Sequence, residues 1–230
     1  MNGQISLVTG ASRGIGQAAA IALAARGAHV VLTARGQGGL EETDDAIRAA
    51  GGTATLLPLD LAKDTEQLDL IGPSILARFG RLDLLVHAAG LLAKLTPVAH
   101  IMPKDWTESL AVNVSACWRL IRSTDPLLRA APAGRALVLT DSRVEAPRAY
   151  WGLYGAAKAA QHHLVGTWAD EVASTPLRVA LYDPGVVATN LRAAAMPGED
   201  QKTLRQPAEA GAAIAELLAA GFANGAVLRA

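Results

Sequence analysis

Short apolar, β-branched runs recur along this chain at residues 5–9, 28–33, 53–59, 82–87, 136–140 and 177–182, with a brief seventh at 226–228. Between them lie helical patterns at 18–25, 41–50, a stretch ending at Phe79-Gly80, 103–128, the Ala-rich run after Tyr154, and 207–220. Runs that are apolar on both faces and separated by helices belong in a parallel sheet covered on each side. The alternation continues to the end without a linker, an internal repeat or a low-complexity segment. Together with a length of 230 residues and 51% hydrophobic composition, this predicts an α/β fold built as one doubly wound domain over 1–230.

In such a sheet ligands bind beyond the carboxyl ends of the strands. The unusual residues of this chain fall there. The first run stops at Thr9-Gly10-Ala11-Ser12-Arg13-Gly14-Ile15-Gly16 and passes directly into a helical pattern. A strand, glycine-rich turn and helix set free backbone N–H groups against a pyrophosphate. The second run ends in Ala34-Arg35, where an acidic residue would take the ribose 2′-hydroxyl of NAD and an arginine accommodates a 2′-phosphate. Arg35, with Arg13 as a second cation, points to NADP. Asp60-Leu61 closes the third run, and Asp60 either flanks an adenine or caps the following turn. Ala88-Ala89-Gly90 after the fourth run are small enough to let a cofactor lie close.

The other half of the chain carries the acid–base candidates. Tyr154 and Lys158 stand four residues apart on a helical pattern, hence on one face. A phenol holds its proton to pH near 10, and a cation nearby lowers that value. Ser142 stands with Asp141 at the end of the fifth run, and Asn113 interrupts an apolar helical pattern between Val112 and Val114. A buried amide there must find partners or cost free energy. The sixth run leaves through Asp183-Pro184-Gly185-Val186-Val187-Ala188-Thr189, and the segment 190–206 reads as a loop or short helices suited to a substrate lid.

In this order, Thr9-Gly10-xxx-Gly14-x-Gly16, Asn113, Ser142, Tyr154-xxx-Lys158 and Pro184-Gly185 resemble the short-chain dehydrogenase/reductase family over nearly the whole chain. The run from Arg81 through Gly90 to Pro97, Trp151-Gly152-x-Tyr154 and Leu191-Arg192-Ala193-Ala194-Ala195 are similar to a bacterial subgroup whose substrates are poorly defined. The resemblance implies a Rossmann fold of about seven parallel strands, an NAD(P) cofactor, here NADP(H), and a homodimer or homotetramer. It implies Tyr154 as proton donor to a carbonyl or acceptor from an alcohol, and Ser142 as the group holding the same oxygen. Lys158 would bind the nicotinamide ribose and lower the tyrosine pKa, and Asn113 would support a proton relay. Val187 and Thr189 would meet the carboxamide. The chain departs from the family in three places. His87-Ala88-Ala89-Gly90 replaces Asn-Asn-Ala-Gly, which implies a missing supporting hydrogen bond. Asp141 occupies the usual serine position thirteen residues before Tyr154, whereas Ser142 is twelve before. The usual Asp-Gly-Gly near the end is absent, a departure associated with reduced substrate closure or assembly.

Charge sets the remaining expectations. Lys and Arg total 21 against 21 Asp and Glu, so no bulk field favours nucleic acid or an anionic membrane. Cys117 is the one cysteine and has no disulfide partner within the chain. No secretory leader pattern and no membrane-length apolar run is present, giving a cytoplasmic expectation. No metal site is assigned. Leu91, Leu92, Trp151 and residues 186–206 are expected to shape a partly apolar substrate pocket, with Arg143, Glu145 and Arg148 adding polarity or facing solvent. The alternative function is a catalytically reduced NADP-binding scaffold or redox sensor on the same fold.

Overall fold

The computed structural model describes residues 1–142 and 145–230. Strands β1 (Ile5–Thr9), β2 (His29–Ala34), β3 (Thr53–Pro58), β4 (Leu84–His87), β5 (Arg135–Leu139), β6 (Arg178–Asp183) and β7 (Val227–Arg229) form one sheet in the order β3-β2-β1-β4-β5-β6-β7. Every pairing is parallel. The chain runs outward from β1 to β3, crosses back, and continues from β4. The crevice between the carboxyl ends of β1 and β4, where Thr9 is in register with His87, is therefore the switch point.

Alternate strand residues divide the core into two layers, as the period of two requires. Leu7, Val31, Leu85, Val138 and Val179 pack under α3 (Thr65–Phe79), α5 (Ala116–Ala130) and α6 (Gly152–Glu171). Val8, Val30, Leu32, Val86 and Ala180 pack under α1 (Gly14–Ala24), α2 (Gln37–Ala49) and α8 (Pro207–Ala220). Helices α3 and α5 touch backbone to backbone, since a Cβ on Gly72 would lie 1.8 Å from the Ser123 carbonyl oxygen. Pro73 denies the Asp69 carbonyl its helical N–H, and the Ser123 hydroxyl donates to that carbonyl at 3.2 Å instead.

Three elements differ from the periodicity. The pattern over 103–128 is two helices, α4 (Pro103–Leu110) and α5, joined by a π-helical turn at Ala111–Ser115 that contains Asn113. Helix α1 starts at Gly14, inside the glycine turn rather than at residue 18. The fourth run is strand only from Leu84, because the buried Asp83 carboxylate accepts from Ile5 N at 2.9 Å and is clamped by Arg81. The segment after β6 holds α7 (Asn190–Ala195) and a short 3₁₀ turn at Gln201–Thr203. Among the described residues, no helix is long and apolar enough to cross a membrane.

Candidate active site

The cofactor half of the crevice is made mostly of backbone. Gly10 takes φ +67, and a Cβ there would stand 2.9 Å from Ala89 N, so only glycine lets the β1 and β4 exits approach this closely. On Gly16 a Cβ would fall 2.3 Å from the Gly10 carbonyl oxygen, so the first turn of α1 is seated directly on the glycine loop. Arg13 is the N-cap of α1 and supplies no side-chain cap, and the first turn has no acidic residue. Its N–H groups are thus suited to an anionic group. Ser12 and Ile15 are half-buried in the same turn. Arg13 and, at the exit of β2, Arg35 are exposed, and neither forms an ion pair or side-chain hydrogen bond among the described residues. Both remain available to a phosphate.

Asp60 closes a turn. Its Oδ1 accepts from Ala62 N at 2.9 Å, its own N–H donates to Asp64 Oδ2 at 2.7 Å, and Leu61 is buried behind it. On the opposite wall Gly185, at φ +70, donates to Asp183 Oδ1 at 2.9 Å, Pro184 and Val187 are buried, and Thr189 caps α7 by accepting from Arg192 N at 3.1 Å. A Cβ on Gly14 would sit 3.5 Å from the Thr189 methyl, so the β6 exit reaches the start of α1.

The exit of β4 carries side-chain support although both asparagines are absent. Thr9 Oγ1 lies 2.8 Å from His87 Nδ1 and accepts from Ala89 N at 3.1 Å. His87 is fully buried; burial first, and then the charge of Lys158, lowers its pKa to about 3. It stays neutral, and its Nδ1 and the Thr9 hydroxyl share one hydrogen bond. Thr9 and His87 tie β4 to the glycine turn beyond Ala88 and Ala89 with bonds that do not come from the absent asparagines. Past Gly90, Asn113 Oδ1 accepts from Leu91 N at 2.9 Å while its Nδ2 donates to Leu91 O at 2.9 Å and Ser109 Oγ at 3.2 Å. The π-helical turn exposes Asn113 to this loop, and its amide is satisfied there rather than by water.

The other half, which holds the acid–base candidates, is built from buried side chains on α6. Tyr154 and Lys158 are 6% and 4% exposed. The Lys158 ammonium donates to Leu139 O and Gln161 Oε1, both at 2.8 Å. Burial lowers its pKa to about 8, against the opposing pull of Cys117, Asp141 and Asp183. Trp151 meets the Tyr154 ring edge-on, with centroids 5.9 Å apart at 70°. Ala195, Leu92, Leu95 and Met196 complete an apolar roof over this pair. Before α6 the exposed Tyr150 takes φ +72, unusual for a side-chain residue, and its carbonyl accepts from Thr96 N at 3.3 Å. This bond ties the entrance of α6 to the loop after β4.

Asp141 is half-buried, and its charge acts on both Lys158 and Arg192. Ser142 is exposed at the mouth, its carbonyl accepting from Glu145 N at 3.1 Å. Arg192 grips Glu199 through two bonds of 2.6 and 2.7 Å, which fastens α7 to the segment that follows it. Cavities of about 520 and 460 Å³ flank α7, the first lined by Thr189, Ala193 and Lys202, the second by Leu92, Leu95 and Ala195. Arg148 is exposed, Glu145 pairs with Arg229, and Arg143 lies outside the described residues. Gln161 and Glu199 carry no motif signal; only a polar residue inside an Ala-rich helix marks the first.

The family model for short chain dehydrogenases matches residues 4–200. The chain belongs to the short-chain dehydrogenase family. It is an oxidoreductase of that family, acting between an alcohol carbon and a carbonyl. It is 38% identical to the uncharacterized oxidoreductase YciK of Escherichia coli K12 over 91% of this chain and 83% of the relative. It is 32% identical to the 3-oxoacyl-[acyl-carrier-protein] reductase FabG of Salmonella typhimurium over 82% and 75% of the two chains. A short chain dehydrogenase of Shigella flexneri 2a, solved in complex with NADP, superposes with a TM-score of 0.94 at 33% identity, covering 100% of this chain and 97% of that one.

Proposed function

We propose that this dehydrogenase transfers hydride between NADP(H) and a partly apolar carbonyl or alcohol, with Tyr154 as general acid and base. The observation that carries the reading is the burial of Tyr154 and Lys158 together on one face of α6, with Tyr154 beneath an apolar roof contributed by the loops after β4 and β6. NADP(H) would lie along the β1–β4 crevice, its pyrophosphate against Gly10, Ser12, Gly14, Ile15 and Gly16, and its adenine flanked by Asp60 and Leu61. Arg35 and Arg13 would hold the 2′-phosphate, a choice supported by the NADP complex of the Shigella relative. When bound, the cofactor supplies or takes the hydride. Ala88, Ala89 and Gly90 line its path, with Pro184, Gly185, Val187 and Thr189 opposite.

In the reductive direction the Tyr154 hydroxyl gives its proton to the carbonyl oxygen, and Ser142 donates a second hydrogen bond to that oxygen. The Lys158 ammonium stabilises the phenolate left behind, the same interaction that makes the phenol acidic. Asn113 holds the Leu91 loop in place at the nicotinamide end. Asp141 balances the cations Lys158 and Arg192. Trp151, Leu92, Leu95 and Met196 exclude water and favour a substrate with an apolar body.

Incubating the purified protein with NADPH or NADH and a panel of aldehydes, ketones and diketones tests the reading. NADPH oxidation with at least one apolar carbonyl, slower with NADH, is expected. Binding of NADPH without turnover on any member of the panel would instead favour a non-catalytic scaffold. Comparing Ser142→Ala with Asp141→Asn separates their roles: loss of turnover in the first and a shifted pH profile in the second are expected.

A further inference from the structure

Gln161 stands one turn after Lys158 on α6, fully buried. The side of α6 around it faces the core layer, where Ala157 is 0% exposed and Val165 and Trp168 are 1% and 3% exposed. An apolar residue would serve packing there without burying an amide, which is costly when incompletely bonded. The Gln161 amide is incompletely bonded. Its Oε1 accepts from Lys158 Nζ at 2.8 Å, while its buried Nε2 meets no oxygen or nitrogen acceptor and has only the Cys117 sulfur of α5 within reach. The bond of ordinary hydrogen-bond geometry is the one to the lysine.

An ammonium has three N–H donors. Among the described residues, two are engaged, by Leu139 O and Gln161 Oε1, and Lys158 forms no ion pair. Two neutral oxygens thus solvate this cation in the core. The titratable and charged groups facing it from the surrounding elements are His87 on β4, Cys117 on α5, Asp141 after β5 and Asp183 at the end of β6, with Tyr154 on its own helix. His87 is neutral, and burial pushes the Cys117 thiol up to about 12, so neither supplies a counter-charge at neutral pH. Asp141 and Asp183 act through space without bonding to the ammonium. The Gln161 carbonyl is the side-chain acceptor in contact with it.

We propose that Gln161 is a positioning residue for the reaction: its side-chain carbonyl anchors the Lys158 ammonium from the core side and keeps it charged, leaving the third N–H for the cofactor. The inference rests on the assignment of Lys158 and Tyr154 above, and acts through them, since Gln161 touches neither substrate nor cofactor. Loss of the carbonyl makes the charged lysine less stable and lowers its pKa further. Tyr154 then loses the cation that lowers its own pKa, and the acid limb of alcohol oxidation moves to higher pH. A carboxylate in the same place raises the lysine pKa.

The chain contains five lysines, so ¹³Cε-lysine labelling allows Lys158 to be titrated by NMR, assigned by loss of its signal in Lys158→Arg. In Gln161→Met the Lys158 midpoint is expected to fall by about half a unit or more, a threefold change in the protonation constant, and in Gln161→Glu to rise. Lys158 midpoints equal to the parent's in the folded variants would overturn the proposal and leave Gln161 as packing. Should Gln161→Met fail to fold, the charged variant carries the same test. The titration requires no substrate, so it fails independently of the assigned chemistry, which Tyr154→Phe kinetics judge separately. With an accepted alcohol, the acid limb of the kcat profile should follow the lysine midpoint.

Discussion

The two ends of the crevice are built by different means. At the cofactor end the determinants are backbone: Gly10 and Gly16 are required because a Cβ would collide with Ala89 N or the Gly10 carbonyl, and the N-terminus of α1 is left without a side-chain cap. At the catalytic end they are side chains taken out of water, with Tyr154 and Lys158 buried and held by groups from β5, the β4 loop and α7. At Gly10 and Gly16 the first end has no room for an added atom. The second has room for chemistry, and its properties are set by which polar groups accompany a buried cation.

This contrast gives a graded series of outcomes. The largest effect is expected from Gly16→Val, whose Cβ would lie 2.3 Å from the Gly10 carbonyl oxygen. NADPH binding should be lost with a large fall in Tm; near-parental affinity would break the claim that this end is sterically fixed. Arg35→Ala should weaken NADPH about tenfold, through loss of a charge-assisted bond, and leave NADH binding unchanged. Equal losses for both cofactors in calorimetry would remove the assignment of Arg35 to the 2′-phosphate.

At the catalytic end, activity and stability should move apart. Lys158→Met should abolish turnover yet raise Tm at pH 7 by about 3 °C or more, because replacing a desolvated charge by an apolar chain of similar length relieves its burial. A lower Tm would mean that Leu139 O and Gln161 compensate the buried charge fully. In the parent the lysine pKa is lowered to about 8 from 10.5, so above pH 8 the unfolded chain binds more protons than the native one. This group therefore adds stability as pH rises from about 8 to 10.5, a slope that Lys158→Met should lack.

His87 gives the smallest expected change. Its pKa is lowered from 6.5 to about 3, so the unfolded state takes up a proton that the native state refuses, and stability falls as pH drops through that interval. His87→Asn should flatten this part of the acid-unfolding curve while keeping a partner for Thr9. An unchanged slope in denaturant titrations between pH 6 and pH 4 would show that His87 is not the group responsible.

The same contrast explains what was legible in the sequence. Residues such as Gly10, Gly14 and Gly16 announce themselves because local geometry alone demands them, next to a strand end whose position follows from periodicity, and Arg35 because it stands at such an end. The Tyr154–Lys158 pair was legible because helical spacing puts both on one face. Asn113 signalled only that an amide was out of place; its partner, Leu91, comes from a loop 22 residues away, and the π-helical turn that presents it has no sequence periodicity of its own. The bond between Thr9 and His87 spans 78 residues and replaces an asparagine motif with different chemistry, which no local pattern could supply. Ser142 and Asp141 differ by one position, and which side chain turns inward depends on the curl of the chain after β5. Gln161 gives no motif signal within the Ala-rich helix, because its meaning depends on Leu139, which the sheet brings to the same ammonium.

The central claim is that a buried phenol beside a buried ammonium transfers the proton at the carbonyl. NADPH affinity by calorimetry and NADPH oxidation, measured side by side on the parent protein and Tyr154→Phe, address it directly. The phenylalanine variant should bind NADPH as the parent does and lose about 100-fold or more in kcat. Turnover by Tyr154→Phe at the parental rate would contradict the account.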